Sequence, residues 1–258
     1  MRFSILSRQD NLSNEVACKI KKRINLEYDD INPDYVVAVG GDGTILSAVH
    51  KYPNAVVFGV HTGHLGFYAN YSVENIDDLV NDINTGHFHV ENTNLLSCKI
   101  YDSKNNLTDA FALNEITIVT PPRTLILDVF INGEYLERFR GTGFCVSTPS
   151  GSTAYNKSLH GSVIDPQLDT IQLTEIAGIN SNSYRTLSSP LVLSNRRNIK
   201  LKALMAQEVF ITVDHESYTI NDFESIEIGY EGKVLKMAFH EEESFLKRIS
   251  RTFLISKE

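Results

Sequence analysis

The N-terminal third of the chain alternates between short apolar runs and segments whose apolar residues recur at helical spacing. Residues 3–6, 35–39 and 55–60 are the apolar runs, and each has the length of a buried strand. Residues 11–26 and 45–52 lie between them and place apolar side chains three or four positions apart. A strand–helix–strand–helix–strand order predicts a parallel sheet flanked by helices, because parallel strands need a crossover that is usually a helix.

After a further helix predicted over residues 73–83, the pattern changes. From about residue 90 the apolar runs are separated by turn residues rather than by helical segments. Asn132 and Gly133 stand between two such runs, and this dipeptide is a strong signal for a two-residue β-hairpin. In this part of the chain we predict helices only over residues 169–179 and 244–253, so the second half is expected to be β-rich.

The charge and composition argue against several kinds of partner. The formal net charge is −8, so the chain as a whole lacks the basic surface typical of nucleic-acid binding. No stretch approaches the roughly 18 apolar residues of a membrane-spanning helix, and the N-terminal apolar run is too short for a signal peptide. Cys18, Cys98 and Cys145 are far apart, which fits a reducing compartment better than a disulfide framework. We therefore expect a cytoplasmic protein without nucleic-acid or membrane partners.

Three glycines and a carboxylate directly follow the second predicted strand, as Gly40, Gly41, Asp42 and Gly43. A loop at the carboxyl end of a parallel strand is where α/β proteins place ligands, and glycine lets the backbone approach a phosphate closely. The pattern is not a Walker A loop, because no lysine follows, and it is not GxGxxG. A carboxylate repels phosphate, so Asp42 needs a reason: it can hold a divalent cation, act as a general base, or cap the helix.

Three other segments carry motifs that accompany this GGDGT loop. They are the Asn114–Glu115 pair, the small-residue segment at residues 148–155, and the histidine- and glycine-containing segment at residues 61–67. Together with the loop, they resemble the NAD kinase family, particularly its short forms from Gram-positive bacteria. The loop alone is weak evidence, because diacylglycerol and sphingosine kinases share it. The combination, which runs through most of the chain, is specific.

The resemblance implies a reaction in which ATP donates its γ-phosphoryl group to the 2′-hydroxyl of the adenosine ribose of NAD, giving NADP. It implies that Asp42 accepts the proton of that hydroxyl. The chemistry agrees, because a secondary hydroxyl is a poor nucleophile until a nearby base removes its proton. Gly43 would lie against the nucleotide, and a divalent cation, Mg²⁺ by preference, would neutralise the triphosphate.

The resemblance also implies NAD contacts along the chain. Asn114 and Glu115 would bind the ribose and adenine region, which requires the strand to end or bulge, because adjacent strand residues point to opposite faces. Tyr155 would stack on the adenine ring. By pattern alone, a segment such as residues 148–155 is more often an ordinary glycine–serine turn, and Arg140 fits a solvated sheet edge as well as a ligand contact. The remaining contacts implied by the family, besides Asp42 and Gly43, are Arg140, Thr142, Ser150, Thr153, Ala154, Ser158, Ala177 and His215.

One position departs from the family pattern inside this set. Thr142 lies between Gly141 and Gly143, where the family usually has aspartate. Threonine keeps a hydroxyl but loses the charge, and a lost charged hydrogen bond costs roughly 1.5–3 kcal/mol, or about ten- to a hundredfold in affinity. We expect altered affinity rather than loss of the chemistry.

Two other functions remain open at this stage. The first is another GGDGT kinase, such as a lipid kinase, and the second is a non-catalytic protein that senses NAD or NADP, which the Thr142 change makes plausible. His61 and His64 suggest a metal site by their spacing. A protein-bound metal usually takes three or four ligands and no third ligand follows, so we predict none.

The resemblance implies the domain organisation as well. We expect a Rossmann-like α/β domain over residues 1–93, completed by residues 238–258, and a β-rich, β-sandwich-like domain over residues 94–237. Family members are commonly homodimers or homotetramers, so self-association is also expected.

Overall fold

The computed structural model describes residues 1–63, 66–104, 106–120, 123–240 and 244–254. The helices are α1 (Asn11–Lys21), α2 (Asp42–Lys51), α3 (Ile76–Thr85), α4 (Tyr155–Ser158) and α5 (Phe245–Ile249). The strands are β1 (Arg2–Ser7), β2 (Glu27–Tyr28), β3 (Tyr35–Gly40), β4 (Val56–His61), β5 (Tyr71–Ser72), β6 (His89–Asp102), β7 (Leu107–Ala112), β8 (Glu115–Val119), β9 (Leu125–Ile131), β10 (Glu134–Gly141), β11 (Gly143–Ser147), β12 (Thr170–Ile176), β13 (Leu191–Ser194), β14 (Ile199–Val213) and β15 (Glu216–Phe239). Within these ranges no helix has the length and apolar character needed to cross a membrane.

The chain forms two compact units, and the first of them is built from two separate stretches of sequence. The first comprises Met1–Thr93 and Val234–Glu258, and the second is Asn94–Lys233. The last part of β15 therefore belongs to the first unit, and the rest of that strand belongs to the second.

The first unit is built on a parallel sheet in the order β15–β4–β3–β1–β2. The register pairs Ser7 with Val39 and Gly40 with His61. The carboxyl ends of β1, β3 and β4 therefore lie at one edge of the sheet. β3 is buried along its whole length, as is typical of a parallel strand covered on both faces.

The helices predicted in this unit are confirmed as α1, α2 and α3. α1 begins after Asp10, whose carboxylate accepts a hydrogen bond from the N–H of Ser13 at 3.0 Å. Val16 and Ile20 of α1 lie in one buried core cluster with Val37 and Val39 of β3. The helical spacing in the sequence is therefore the stripe that faces this core.

The end of the chain packs within the first unit. The Arg248 guanidinium donates a hydrogen bond to Glu91 at 2.6 Å, and its carbon lies 4.7 Å from the centroid of the Phe239 ring. The Phe245 and Phe67 rings are 6.0 Å apart and nearly perpendicular. The predicted terminal helix is confirmed as α5, and a π-helical turn (Ser250–Leu254) follows it.

The second unit is dominated by antiparallel strands. β13, β12, β11, β8, β14 and β15 pair in that order, β9 pairs with both β10 and β14, and β6 pairs with β7. One large apolar cluster forms its core, and in it the Phe139 and Phe144 ring centroids are 4.2 Å apart. The expected fold class, an α/β part followed by a β-rich part, is confirmed.

The helix predicted over residues 169–179 is wrong, because this segment contains the strand β12. β12 pairs antiparallel with β11 on one side and with β13 on the other. Four of its residues are β-branched, a type that favours strands, and both of its faces are buried at its centre. A strand buried on both faces shows no apolar–polar alternation, so its residue pattern resembles a helical period.

The predicted Asn132–Gly133 hairpin is confirmed between β9 and β10. Both turn residues have positive φ, 51° for Asn132 and 82° for Gly133. This is the requirement of a type I′ turn, which matches the right-handed twist of the two strands.

We expect Gly133→Ala to lower the stability of the protein by roughly 1–2 kcal/mol, because an L side chain at this φ is strained. The added Cβ would meet no atom within 4 Å, so the backbone conformation is the only cause. Gly133→Asn should cost less, since Asn adopts this conformation more readily. Thermal unfolding of the three proteins tests this, and equal melting temperatures for Gly133→Ala and the wild type would contradict it.

Candidate active site

The glycine loop connects β3 to α2 in the first unit and fixes the position of Asp42. α2 begins at Asp42 with Gly41 as its N-cap, and no side chain caps the helix. The Asp42 carboxylate instead accepts hydrogen bonds from the N–H groups of Phe67 at 2.8 Å and Tyr68 at 3.2 Å. The alternative in which Asp42 caps the helix is therefore wrong, and its carboxylate serves the neighbouring loop.

The segment after β4 is shaped to approach this carboxylate. The Thr62 N–H donates to the Gly40 carbonyl at 3.1 Å. A Cβ placed on Gly66 would lie 2.2 Å from an Asp42 carboxylate oxygen, so only glycine fits without a shift. Gly66 therefore lets this segment lie against the glycine loop.

The metal site considered for His61 and His64 has no counterpart among the described residues. His64 lies outside the described residues. The described parts of the chain contain no group of three or more His, Cys, Asp and Glu side chains able to hold a metal ion.

A pocket of about 390 Å³ lies beside the glycine loop within the first unit. Its lining comprises Leu6, Ser7, Arg8, Gln9, Gly41, Gly43, Thr44 and Ser47. The Arg8 Nε donates to the Asp10 carboxylate at 2.6 Å, and half of its side chain is exposed. The hydrogen bond from the Ser13 N–H is the main cause of a lowered pKa at Asp10, and the hydrogen bond from Arg8 adds to it. Together they hold this pKa at about 2, well below its usual value. The lining of the pocket thus combines glycine backbone with one positively charged side chain, that of Arg8.

The sequence interpretation did not identify Arg8. The signal was available, because Arg8 directly follows the first strand, and β1 and β3 are parallel neighbours whose carboxyl ends share an edge. A basic residue at that position lies beside the glycine loop and therefore beside any ligand that the loop binds.

In the second unit, Asn114 and Glu115 lie at a corner between two strands. β7 ends at Ala112 and β8 begins at Glu115, so the predicted strand ending is confirmed. Both side chains are buried, with exposed fractions of 7% for Asn114 and 8% for Glu115. Asn114 lies in the corner and Glu115 is the first residue of β8, so the two side chains do not follow the alternation of one continuous strand.

Asp214 holds the backbone of this corner. Its carboxylate accepts hydrogen bonds from the N–H groups of Leu113 at 2.8 Å, Asn114 at 2.7 Å and Glu115 at 3.4 Å. Asp214 occupies the two-residue turn between β14 and β15 with a φ of 54°, and His215 follows it. The sequence interpretation named His215 but missed Asp214, which lies about a hundred positions from its partners.

The small-residue segment docks on the carbonyl side of the same corner. The Thr148 N–H donates to the Asn114 carbonyl at 2.9 Å, and its hydroxyl donates to the Leu113 carbonyl at 2.7 Å. A Cβ on Gly151 would lie 2.0 Å from the Asn114 carbonyl oxygen, so glycine is required for this approach. This segment is therefore a packed part of the corner and not a free turn.

The remaining predicted residues of this segment follow in a 3₁₀ turn (Ser150–Thr153) and in α4. Ser150 is buried, and its carbonyl accepts from the Thr153 hydroxyl at 3.1 Å. The Ala154 N–H donates to the Gly151 carbonyl at 2.9 Å. The Tyr155 side chain is largely exposed, so its ring is accessible for stacking, and Ser158 is the last residue of α4.

Burial is the main cause of a raised pKa at Glu115. It raises this pKa to about 8, and the nearby Asp214 charge adds to the effect, while a hydrogen bond from the Tyr155 N–H opposes it. The Glu115 Oε2 atom is buried and has no hydrogen-bond partner among the described residues. The Glu115 carboxyl therefore holds a proton near neutral pH.

A second group of predicted residues meets at the junction of β10 and β11. The Thr142 N–H donates to the Ile176 carbonyl at 2.9 Å, and Gly141 packs closely on the carbonyl of Ala177, whose φ is 48°. The Arg140 guanidinium carbon lies 3.9 Å from the centroid of the Tyr184 ring. Arg140, Thr142 and Ala177 are therefore neighbours, as a common ligand contact requires.

Comparison with known proteins adds sequence relatives to this geometry. The family model of the ATP-NAD kinase N-terminal domain matches residues 7–88, and that of the ATP-NAD kinase C-terminal domain matches residues 113–230. NAD kinases of Staphylococcus aureus strains JH9 and Newman are 40% identical to the chain over 267 aligned positions, covering 100% of the chain and 99% of each relative.

Two solved structures are also similar. Yeast NADH kinase complexed with NADH has a TM-score of 0.87 at 22% identity, and the alignment covers 100% of this chain and 89% of the yeast chain. At this identity the similarity supports the fold alone. An NAD kinase from Archaeoglobus fulgidus in complex with ATP has a TM-score of 0.75 at 27% identity, covering 98% of the chain and 97% of its own.

The raised pKa of Glu115 predicts how its replacement responds to pH. Between the ordinary value of 4.5 and the folded value of about 8, the folded protein keeps a proton that the unfolded chain releases, so stability falls as pH rises. Glu115→Gln removes this titration. We expect the variant to gain stability relative to the wild type across this range and then to keep a constant difference. Chemical unfolding at several pH values tests this, and a difference independent of pH would contradict it.

Proposed function

The chain belongs to the ATP-NAD kinase family and phosphorylates NAD, and we propose that Asp42 is the base that activates the NAD hydroxyl. The observation that carries the activity is the match of both family models together with 40% identity to NAD kinases over the whole chain. The role of Asp42 is supported by its place in the glycine loop, beside a pocket whose lining includes the positively charged Arg8 side chain.

In the proposed reaction, the 2′-oxygen of the adenosine ribose of NAD attacks the γ-phosphorus of ATP. The new O–P bond forms as the bond from the γ-phosphorus to the bridging oxygen breaks, and ADP leaves with that electron pair. An Asp42 oxygen accepts the hydroxyl proton. The N–H groups of Phe67 and Tyr68 hold the carboxylate in one orientation, which reduces the entropy lost in reaching the reactive geometry.

The pocket beside the glycine loop is suited to the ATP triphosphate. Glycine backbone at Gly41 and Gly43 permits close approach, and Arg8 supplies a positive charge. Mg²⁺ fits this site as a partner of ATP, because it commonly binds through substrate phosphates, water and one or two carboxylates. Asp42 is the carboxylate of the loop, and the cation would neutralise the charge that develops on the transferred phosphoryl group.

The corner in the second unit is suited to NAD. Asn114 and Glu115 offer a buried amide and a protonated carboxyl, which can bind ribose hydroxyls and adenine nitrogens. The exposed Tyr155 ring can stack on the adenine. We assign further contacts with the dinucleotide to Gly43, Arg140, Thr142, Ser150, Thr153, Ala154, Ser158, Ala177 and His215.

Assembly and compartment belong to the same proposal. Self-association as a homodimer or homotetramer is proposed from the family resemblance. A cytoplasmic location is proposed because Cys18, Cys98 and Cys145 are free, and burial raises the pKa of the Cys98 thiol to about 12, which makes it inert. The two compact units are proposed to be the functional domains: the first carries the glycine loop with Asp42 and the ATP pocket, and the second is the main NAD-binding domain.

The two other functions are not favoured. A lipid kinase and a non-catalytic sensor share individual features with this chain, but the Staphylococcus aureus relatives that match it over its full length at 40% identity are NAD kinases.

We expect Asp42→Asn to reduce NADP formation by at least a hundredfold, because the amide cannot accept the hydroxyl proton. Formation of NADP from ATP, Mg²⁺ and NAD gives the rate, and direct titration with NAD shows whether binding survives. Asp78→Asn is the matched control, since Asp78 is also an acidic residue in the first turn of a helix in this unit. Activity above a tenth of the wild type in Asp42→Asn would exclude Asp42 as the base, and a wild type that binds NAD without forming NADP would favour the sensor.

We expect Gly151→Ala to raise the KM for NAD about tenfold or more, because the new Cβ would displace this turn from the Asn114 carbonyl. Gly133→Ala is the control, since it strains a hairpin turn of the same unit that has no proposed ligand contact. Steady-state kinetics with varied NAD distinguishes the two variants. A KM for NAD unchanged by Gly151→Ala, or raised equally by both substitutions, would show that the turn does not shape the NAD site.

A further inference from the structure

The corner between β7 and β8 leaves backbone groups that the strand ladders do not satisfy. Leu113 and Asn114 lie outside both strands, and both are buried. A buried backbone N–H without an acceptor costs free energy comparable to a lost hydrogen bond. The corner can therefore keep its shape only if another part of the unit supplies acceptors.

Asp214 supplies all of these acceptors with one side chain. Its Oδ2 accepts from the Leu113 N–H at 2.8 Å, and its Oδ1 accepts from the N–H groups of Asn114 at 2.7 Å and Glu115 at 3.4 Å. The Asp214 N–H in turn donates to the Glu115 carbonyl at 3.0 Å. Hydrogen bonds to a charged acceptor are roughly twice as strong as neutral ones.

The fold places Asp214 opposite the corner with little freedom. In the ladder between β14 and β8, Val213 pairs with Ile116, so the next position along β14 faces Glu115. Asp214 then turns the chain into β15 with a φ of 54°, a left-handed conformation that glycine, Asn and Asp adopt more readily than other residues. A turn needs only this conformation, whereas Asp214 also makes four hydrogen bonds to one corner.

The carbonyl side of the corner is held separately. Thr148 donates to the Leu113 carbonyl through its hydroxyl and to the Asn114 carbonyl through its N–H. Asp214 therefore fixes the N–H side and Thr148 the carbonyl side, so the Asn114 and Glu115 side chains project from a backbone restrained on both sides.

We propose that Asp214 is a positioning residue for NAD binding, acting through the backbone of Leu113, Asn114 and Glu115. This inference rests on the proposed function, because it takes Asn114 and Glu115 as NAD contacts. Asp214 itself touches neither substrate. Its carboxylate sets the position from which Asn114 and Glu115 reach the dinucleotide. Loss of this carboxylate therefore weakens NAD binding and leaves the ATP pocket of the first unit unaffected.

Two substitutions separate the carboxylate from the turn. Asp214→Asn keeps the shape but has only one acceptor oxygen, so it opposes at least one N–H with an NH₂ group. Asp214→Gly suits the left-handed backbone and removes both acceptor oxygens, and with them all three hydrogen bonds. Asn132→Gly is the matched control, because Asn132 is a non-glycine residue with positive φ in another hairpin of this unit.

The test measures KM for NAD, KM for ATP, kcat and melting temperature in all variants. We expect the KM for NAD to rise at least tenfold in Asp214→Asn and further in Asp214→Gly. The KM for ATP should stay within twofold, and Asn132→Gly should change neither constant. A KM for NAD within twofold of the wild type in both Asp214 variants would overturn the proposal. So would a parallel rise in both KM values, or loss of folding in both variants, because either result makes Asp214 a purely structural residue.

Asn114→Ala shows which idea has failed if the result is negative. If it leaves the KM for NAD unchanged, the proposed NAD site is wrong, and the inference about Asp214 fails with it. If it raises the KM for NAD and the Asp214 variants do not, the NAD site stands and only the positioning role is rejected.

Discussion

Buried backbone N–H groups need acceptors, and in both units of this protein a carboxylate meets that need at the candidate ligand loop. In the first unit, Asp42 accepts from Phe67 and Tyr68, about 25 positions away in sequence. In the second, Asp214 accepts from the corner that begins at Leu113, about a hundred positions away. A side chain can do this where no strand is available, so the loops hold a defined shape without belonging to a sheet.

Glycine makes the same arrangement possible by allowing close approach. Gly66 lies against the Asp42 carboxylate and Gly151 against the Asn114 carbonyl, and in both places a Cβ would come within about 2 Å of the oxygen. Neither residue has a positive φ, so their role is space rather than backbone conformation. Gly66 and Gly151 are therefore packing residues, and a larger side chain at either position would separate two segments that lie in contact.

What the sequence predicted well is local. The alternation of strand and helix, the hairpin at Asn132 and the break before Glu115 all depend on residues close together in the chain, and each is confirmed. The failures involve distant partners or burial. Residues 169–179 contain the strand β12, whose two buried faces hide its period, and Asp214 contacts residues that no local pattern connects to it. Arg8 was missed because its significance depends on which strands are neighbours.

The departure at Thr142 changes a side chain and not the hydrogen bonds of the backbone that carries it. Its N–H donates to the Ile176 carbonyl and its carbonyl accepts from the Thr120 N–H, so the backbone is held by neighbouring strands whatever the side chain. Nor does the loss of an aspartate leave Arg140 without a favourable neighbour, because the guanidinium lies on the Tyr184 ring. The Arg140 Nε is buried and has no hydrogen-bond acceptor in the described part of the chain. The charge that the family pattern would place at position 142 is therefore missing from the junction of β10 and β11, where hydrogen bonds with Thr120 and Ile176 hold the backbone.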